Sequence, residues 1–248
     1  VPNAKELRPS ENWRILFVGR SGSGKSRAAA SFPGPRYCYD LDGRIGSLRG
    51  IDIDYDQFKE EFGFIAIDKK MEEHRNLAKA NKYPYKTTLY SSVTSTMKYL
   101  LLDSIKLIGE DQEKEGKGQM IGRLRIPGPR HYLFVSEAMS QIFDNGLHYF
   151  PGNVIVEAHV VNAYNSSGEV NGTRILATDK LSEYIPTKFD EVWEFSKVES
   201  SVETVSPRYW VSFDGNLART TREPLRNLRK MEITNANFYE KLLEALKQ

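Results

Sequence analysis

One stretch constrains this chain more than any other: Gly19-Arg20-Ser21-Gly22-Ser23-Gly24-Lys25-Ser26, which satisfies G-x-x-x-x-G-K-S/T in full. The flanks agree with it. Trp13-Arg14-Ile15-Leu16-Phe17-Val18 reads as a buried strand, and Lys25 to Phe32 suits a helix stopped by Pro33-Gly34-Pro35. Glycines let a backbone wrap a phosphate so that successive N–H groups form an anion nest, and a helix starting near Lys25 would aim its positive end at the same anion. The pattern assigns Lys25 to the β- and γ-phosphates and the Ser26 hydroxyl to Mg²⁺. Gly19, Ser21, Gly22, Ser23, Gly24, Lys25, Ser26 and Arg27 are therefore the candidate nucleotide contacts. No Asn-Lys-x-Asp guanine-reading motif is visible, which favours ATP over GTP. A phosphate loop alone does not separate a kinase from a GTPase, a motor or a recombinase.

The rest of the chain supports an α/β reading. Strands are expected at 37–40, 64–67, 86–90, 153–161, 189–195 and 208–213. Helices are expected at 69–82, at 93–110 with Met97, Leu100, Leu101, Ile105 and Ile108 on one side, at 132–148 and at 235–247. Residues 111–130 read as a charged, Gly/Pro-rich loop, and 162–176 as a hairpin or open loop carrying Asn171-Gly172. Strands alternating with helices predict a mainly parallel sheet covered on both faces. Residues 1–12 read as a polar arm and 13–248 as one domain, with no internal repeat.

Composition excludes several classes. With 35 Lys+Arg against 33 Asp+Glu the formal charge is +2, so the chain is not polybasic, although a local basic patch remains open. The single Cys38 rules out a disulfide framework and a cysteine-based zinc site. His74, His131, His148 and His159 lack metal-ligand spacing, and no apolar run has the length of a membrane span. The start Val1-Pro2-Asn3 has no signal-peptide pattern, so an intracellular location is expected.

Carboxylates in Tyr39-Asp40-Leu41-Asp42-Gly43 fall at the end of the second strand, where a parallel sheet lines its ligand crevice. Asp42 there either orients or deprotonates an attacking water, or caps an Asp-Gly turn. At this point the chain resembles the RecA-like ATPases, and within them the single-domain phage ATPases of the Sak recombination type. The residues that carry the resemblance are Asp40 to Ile45, Lys86 to Ser95, Ile126-Pro127-Gly128 with Tyr132, Asn153 to His159, and Ile185-Pro186-Thr187-Lys188-Phe189-Asp190, spanning roughly residues 13–223. It implies a RecA-like P-loop core with an antiparallel C-terminal extension. It also implies ATP and Mg²⁺ as cofactors, and a role in DNA recombination, single-strand annealing or replication. Single-stranded DNA, a homo-oligomeric ring or filament, and a phage single-strand-binding protein are the implied partners, in the bacterial host cytoplasm.

The resemblance assigns Asp42 to the catalytic acid and His159 to a γ-phosphate sensor. It assigns Lys188 to a cation reaching a neighbour's ATP, with Arg219 and Arg222 as rivals and surface ion pairing as the plain alternative. One position departs from the family pattern: the Walker B aspartate falls on Ser91. Three readings are open. Ser91 weakens Mg²⁺ binding and turnover; Asp40 supplies the missing charge; or Leu100-Leu101-Leu102-Asp103-Ser104 is the true Walker B. The first reading also raises a nucleotide-dependent binding or assembly module with little turnover; a small-molecule kinase and a packaging motor are further rivals. Arg123, Arg125, Arg130 and His131 form a basic cluster for nucleic acid, and Tyr164 a stacking residue, against a solvated loop as the alternative.

Overall fold

The computed structural model describes residues 12–59, 63–114, 120–121, 124–198, 206–233 and 237–247, without the side chains of residues 109–125 and 148. The elements run β1 (Arg14–Gly19), α1 (Lys25–Ala29), β2 (Arg36–Asp40), β3 (Asp54–Gln57), α2 (Gly63–Lys79), β4 (Thr87–Ser91) and α3 (Val93–Lys114). They continue through β5 (Met120–Ile121), β6 (Leu124–Arg125), α4 (Pro129–Gln141), β7 (Asn153–Ala158), β8 (Val160–Tyr164), β9 (Val170–Ile175) and α5 (Asp179–Tyr184). The last are β10 (Glu191–Val198), β11 (Arg208–Ser212), α6 (Glu223–Leu228), β12 (Lys230–Ile233) and α7 (Phe238–Ala245).

Eight strands form one sheet in the order β12-β11-β10-β1-β7-β4-β2-β3. From β10 to β3 every neighbouring pair is parallel, and β11 and β12 add an antiparallel edge. This is the expected fold class. Strand β1 shows why the chain packs in three layers. Leu16 and Val18 point to one face, with Ile67, Met71, Val93, Leu100, Val135 and Met139 of α2, α3 and α4. Ile15 and Phe17 point to the other, with Ala28, Phe32, Leu225, Phe238 and Leu242. A strand buried on both faces shows no polar alternation, so its sequence reads as a continuous apolar run. Trp13, just before β1, is buried against Phe32 and Trp193.

One expected strand fails. Phe64-Ile65-Ala66-Ile67 is not a strand but the first turn of α2, whose buried Ile67, Met71 and His74 recur at helical spacing along one face. The third strand is instead the short polar edge β3, whose four residues carry little strand signal. The expected arm is outside the described residues apart from Asn12, which is exposed.

The parallel pairing sets the site. Ser91 lies between Asp40 and Glu157 in register, and Val18 pairs with Ala158. The carboxyl ends of β1, β7, β4 and β2 thus open side by side onto one crevice.

Candidate functional site

A cleft of about 560 Å³ lies over these strand ends. It is lined by Ser21 to Ala28, by Asp42, Arg44 and Ser47 after β2, by Ser91, Glu157 and His159, and by Tyr209, Ile233 and Phe238 from the C-terminal elements. Gly22 and Gly24 adopt φ of +75° and +93°. A side chain at Gly24 would also sit 3.3 Å from the Tyr209 ring, so both conformation and space select glycine there. Helix α1 is only five residues long, so the case for an anion here rests on the loop rather than on a helix end. Lys25 is buried, and its Nζ donates to the carbonyls of Gly19 (2.9 Å) and Arg20 (3.0 Å). Burial pulls the Lys25 pKa down, and the nearby carboxylates of Glu157 and Asp42 oppose that shift.

Asp42 and His159 meet. Asp42 Oδ2 lies 3.0 Å from His159 Nε2, and Asp42 Oδ1 accepts from the hydroxyls of Ser92 (2.8 Å) and Ser95. Burial pushes this carboxyl up, but the bonds from His159, Ser95 and Ser92 outweigh it and hold the pKa at about 2. Such a carboxylate is a poor base at neutral pH. It suits orienting a water or fixing the His159 ring better than removing a proton.

The sequence reading missed Glu157. It is 2 % exposed, and its Oε2 accepts from Ser26 Oγ (3.1 Å) and Ser91 Oγ (2.9 Å). Its Oε1 is buried without a hydrogen-bond partner. Burial pushes its carboxyl above the usual range, with Lys25 and the two serines opposing. The signal lay in the sequence: a glutamate inside the apolar run Val154-Ile155-Val156-Glu157-Ala158 is costly unless it has a task. Arg44 was also missed. It lines the cleft and donates to Ser21 Oγ, bringing a cation from outside the phosphate loop to it.

Other candidates are placed elsewhere. Asp40 accepts from the backbone N–H of Arg44 and Ile45, both at 3.0 Å, so it caps the turn after β2 and is absent from the cleft wall. Asp103 is not a strand-end acid. It lies in α3 and accepts from Phe64 N at 2.7 Å, which excludes it as a Walker B residue. Lys188 pairs with Asp144 at 2.7 Å and lies over the Tyr184 ring. Arg219 donates to the carbonyls of Pro186 and Phe189, and Arg222 stacks on Trp13 at 3.7 Å. All three cations have partners within the chain.

Of the basic cluster, Arg130 is exposed at the start of α4, Arg123 lies outside the described residues, and only the backbone of Arg125 is described, in β6. His131 is buried, and its Nδ1 accepts from Gly128 N at 2.9 Å, which makes it a helix cap rather than part of a basic surface. Tyr164 is 63 % exposed at the end of β8. The β8–β9 hairpin follows His159 directly and is tied to the phosphate loop by a bond from Arg20 to Asn162.

Among the described residues no three His, Cys, Asp or Glu side chains form a metal cage, and no helix is long and apolar enough to cross a membrane. A Mg²⁺ ion that arrives with nucleotide phosphates needs few protein oxygens. The Ser26 and Ser91 hydroxyls and the unpartnered Glu157 oxygen are hard donors of the right kind, so the site fits such an ion.

The phosphate-loop sequence, the sheet order and the cleft together define a P-loop nucleotide-binding protein built on a mainly parallel α/β sheet. The chain belongs to the AAA domain family, which matches residues 11–221. No curated protein sequence matches it. Among solved structures it is similar to the flagellar accessory protein FlaH from Methanocaldococcus jannaschii, at 8 % identity and a TM-score of 0.38, over 88 % of this chain and 83 % of that one.

Proposed function

We propose that the chain binds and hydrolyses ATP in phage DNA recombination, single-strand annealing or replication. Residues 19–27 hold the triphosphate, with Lys25 on the β- and γ-phosphates. Mg²⁺ supplies charge neutralisation at the phosphates when bound, with Ser26 and Ser91 among the oxygens that would hold it. Asp42 orients the attacking water and fixes the His159 ring, and His159 passes the phosphate state to the β8–β9 hairpin. The carrying observation is that Lys25, Asp42, Arg44 and His159 converge on one cleft, with His159 leading straight into a hairpin bonded to the phosphate loop. The hairpin, with exposed Tyr164, and Arg130 are the surfaces offered to single-stranded DNA. The phage setting, a ring or filament, a single-strand-binding protein partner, and Lys188, Arg219 or Arg222 acting on a neighbour's ATP rest on the family resemblance, while the single domain over 13–248 and the intracellular location rest on the sequence pattern alone.

ATP turnover with and without single-stranded DNA, alongside mass measurement with a non-hydrolysable ATP analogue, tests the reading. Turnover stimulated by DNA and a mass above the monomer are expected. Turnover that ignores DNA in a protein that stays monomeric sinks the recombination role.

A second reading keeps nucleotide binding but little turnover. Asp42 already accepts from Ser92, Ser95 and His159, which uses three of the roughly four lone-pair sites of a carboxylate and leaves little room to hold a water. DNA binding that depends on ATP while phosphate release stays at background supports this alternative.

A further inference from the structure

The strand-end position that carries an acid in the resembling family is Ser91 here, yet the charge is not lost from the site. Ser91 and Glu157 are direct partners in the β4–β7 ladder, so a carboxylate stands one strand over at the same level. Glu157 Oε2 accepts from Ser91 at 2.9 Å and from Ser26 at 3.1 Å, and Ser26 is the hydroxyl that the phosphate-loop pattern gives to Mg²⁺. Its other oxygen is buried with no hydrogen-bond partner, although the residue is 2 % exposed and lines the cleft. A buried carboxylate oxygen left unpaired is costly and calls for a ligand that comes with function. The competing acids are spent elsewhere: Asp40 on two backbone amides, Asp103 on Phe64, and Asp42 on His159 and two serines.

We propose that Glu157 supplies the protein carboxylate for the divalent cation of a bound nucleotide triphosphate. The acid has moved from β4 to β7, and Ser91 serves as the hydroxyl that positions it. This rests on the reading of the cleft as a Mg²⁺-nucleotide site. It also removes the apparent defect at Ser91, because the site keeps one carboxylate, carried by a different strand.

The test is calorimetric titration of the full chain with ATP, once with Mg²⁺ and once with EDTA, which reads binding and not turnover. Wild type binds tighter with Mg²⁺. Glu157→Gln, which preserves shape, loses at least tenfold of that Mg²⁺ enhancement while its metal-free affinity stays level or improves. Glu157→Asp keeps the charge and retains part of the enhancement, which guards against misfolding of the neutral variant. Ser91→Asp alone gains nothing, because it sets two carboxylates against each other. Glu157→Ser combined with Ser91→Asp returns the acid to β4 and recovers enhancement relative to Glu157→Ser alone.

Full Mg²⁺ enhancement in Glu157→Gln overturns the proposal, even if turnover is lost, since Glu157 would then act on water rather than on the ion. Equal wild-type affinity with and without Mg²⁺ overturns it too. Failure of wild type to bind ATP in either buffer sinks the nucleotide reading itself, which is a separate result.

Discussion

Replacing Asp42 with asparagine should destabilise the protein by about 2 kcal/mol at neutral pH. The carboxyl falls from its ordinary 3.8 to about 2 in the folded chain, and each unit of pKa is worth about 1.4 kcal/mol. The side chain is 7 % exposed, so solvent screening takes little from that figure. The shift is downward, so this stabilisation is fully present above pH ~4 and disappears as pH falls through ~2. Urea denaturation followed by tryptophan fluorescence suits the measurement, because Trp13 and Trp193 are both buried in the core. Wild type should lose stability between pH 4 and pH 2 through this group, and Asp42→Asn should lack that component of the acid limb. An unchanged midpoint at pH 7, together with an unchanged acid limb, would falsify the view that His159, Ser92 and Ser95 hold an ionised Asp42.

Burial raises the Glu157 pKa, so its ionisation costs stability as pH rises above the ordinary carboxyl range, and nucleotide-free Glu157→Gln should melt at a higher temperature than wild type at pH 8 but not at pH 4. Arg44→Ala removes a cation from the phosphate loop and should weaken ATP binding by roughly tenfold while leaving the melting temperature within a few degrees. Tyr164→Ala should weaken single-stranded DNA binding by about 1–3 kcal/mol in fluorescence anisotropy and leave DNA-free ATP affinity unchanged. Gly24→Ala places a side chain at a left-handed φ against the Tyr209 ring and should reduce both stability and ATP affinity, seen in parallel melting and titration curves.

Local signals carried much of the fold. The strand before the phosphate loop and the helix at 93–110 were legible because a continuous apolar run and a helical repeat each dictate one conformation. The 64–67 segment misled because four apolar residues in a row fit a strand or a buried helix turn equally well. Edge strand β3 was invisible because Asp54-Tyr55-Asp56-Gln57 takes its conformation from pairing with β2, not from its own propensity. At the site, the phosphate loop was fully readable because its chemistry is contiguous. Glu157 was not, since its meaning depends on facing Ser91, 66 residues earlier, across a strand pair. Asp40 looked like a ligand for the opposite reason: sequence placed it at a strand end but could not show its oxygens turned onto the amides of residues 44 and 45.

The central claim is that the loop 19–27 with Lys25 binds a nucleotide triphosphate. Titration of the full chain with Mg²⁺-ATP by calorimetry, in parallel with Lys25→Ala, tests it most directly. Saturable one-site binding is expected in wild type, and Lys25→Ala should lose at least tenfold in affinity while unfolding at a similar temperature. No binding in wild type, or equal binding in the two proteins, contradicts the account.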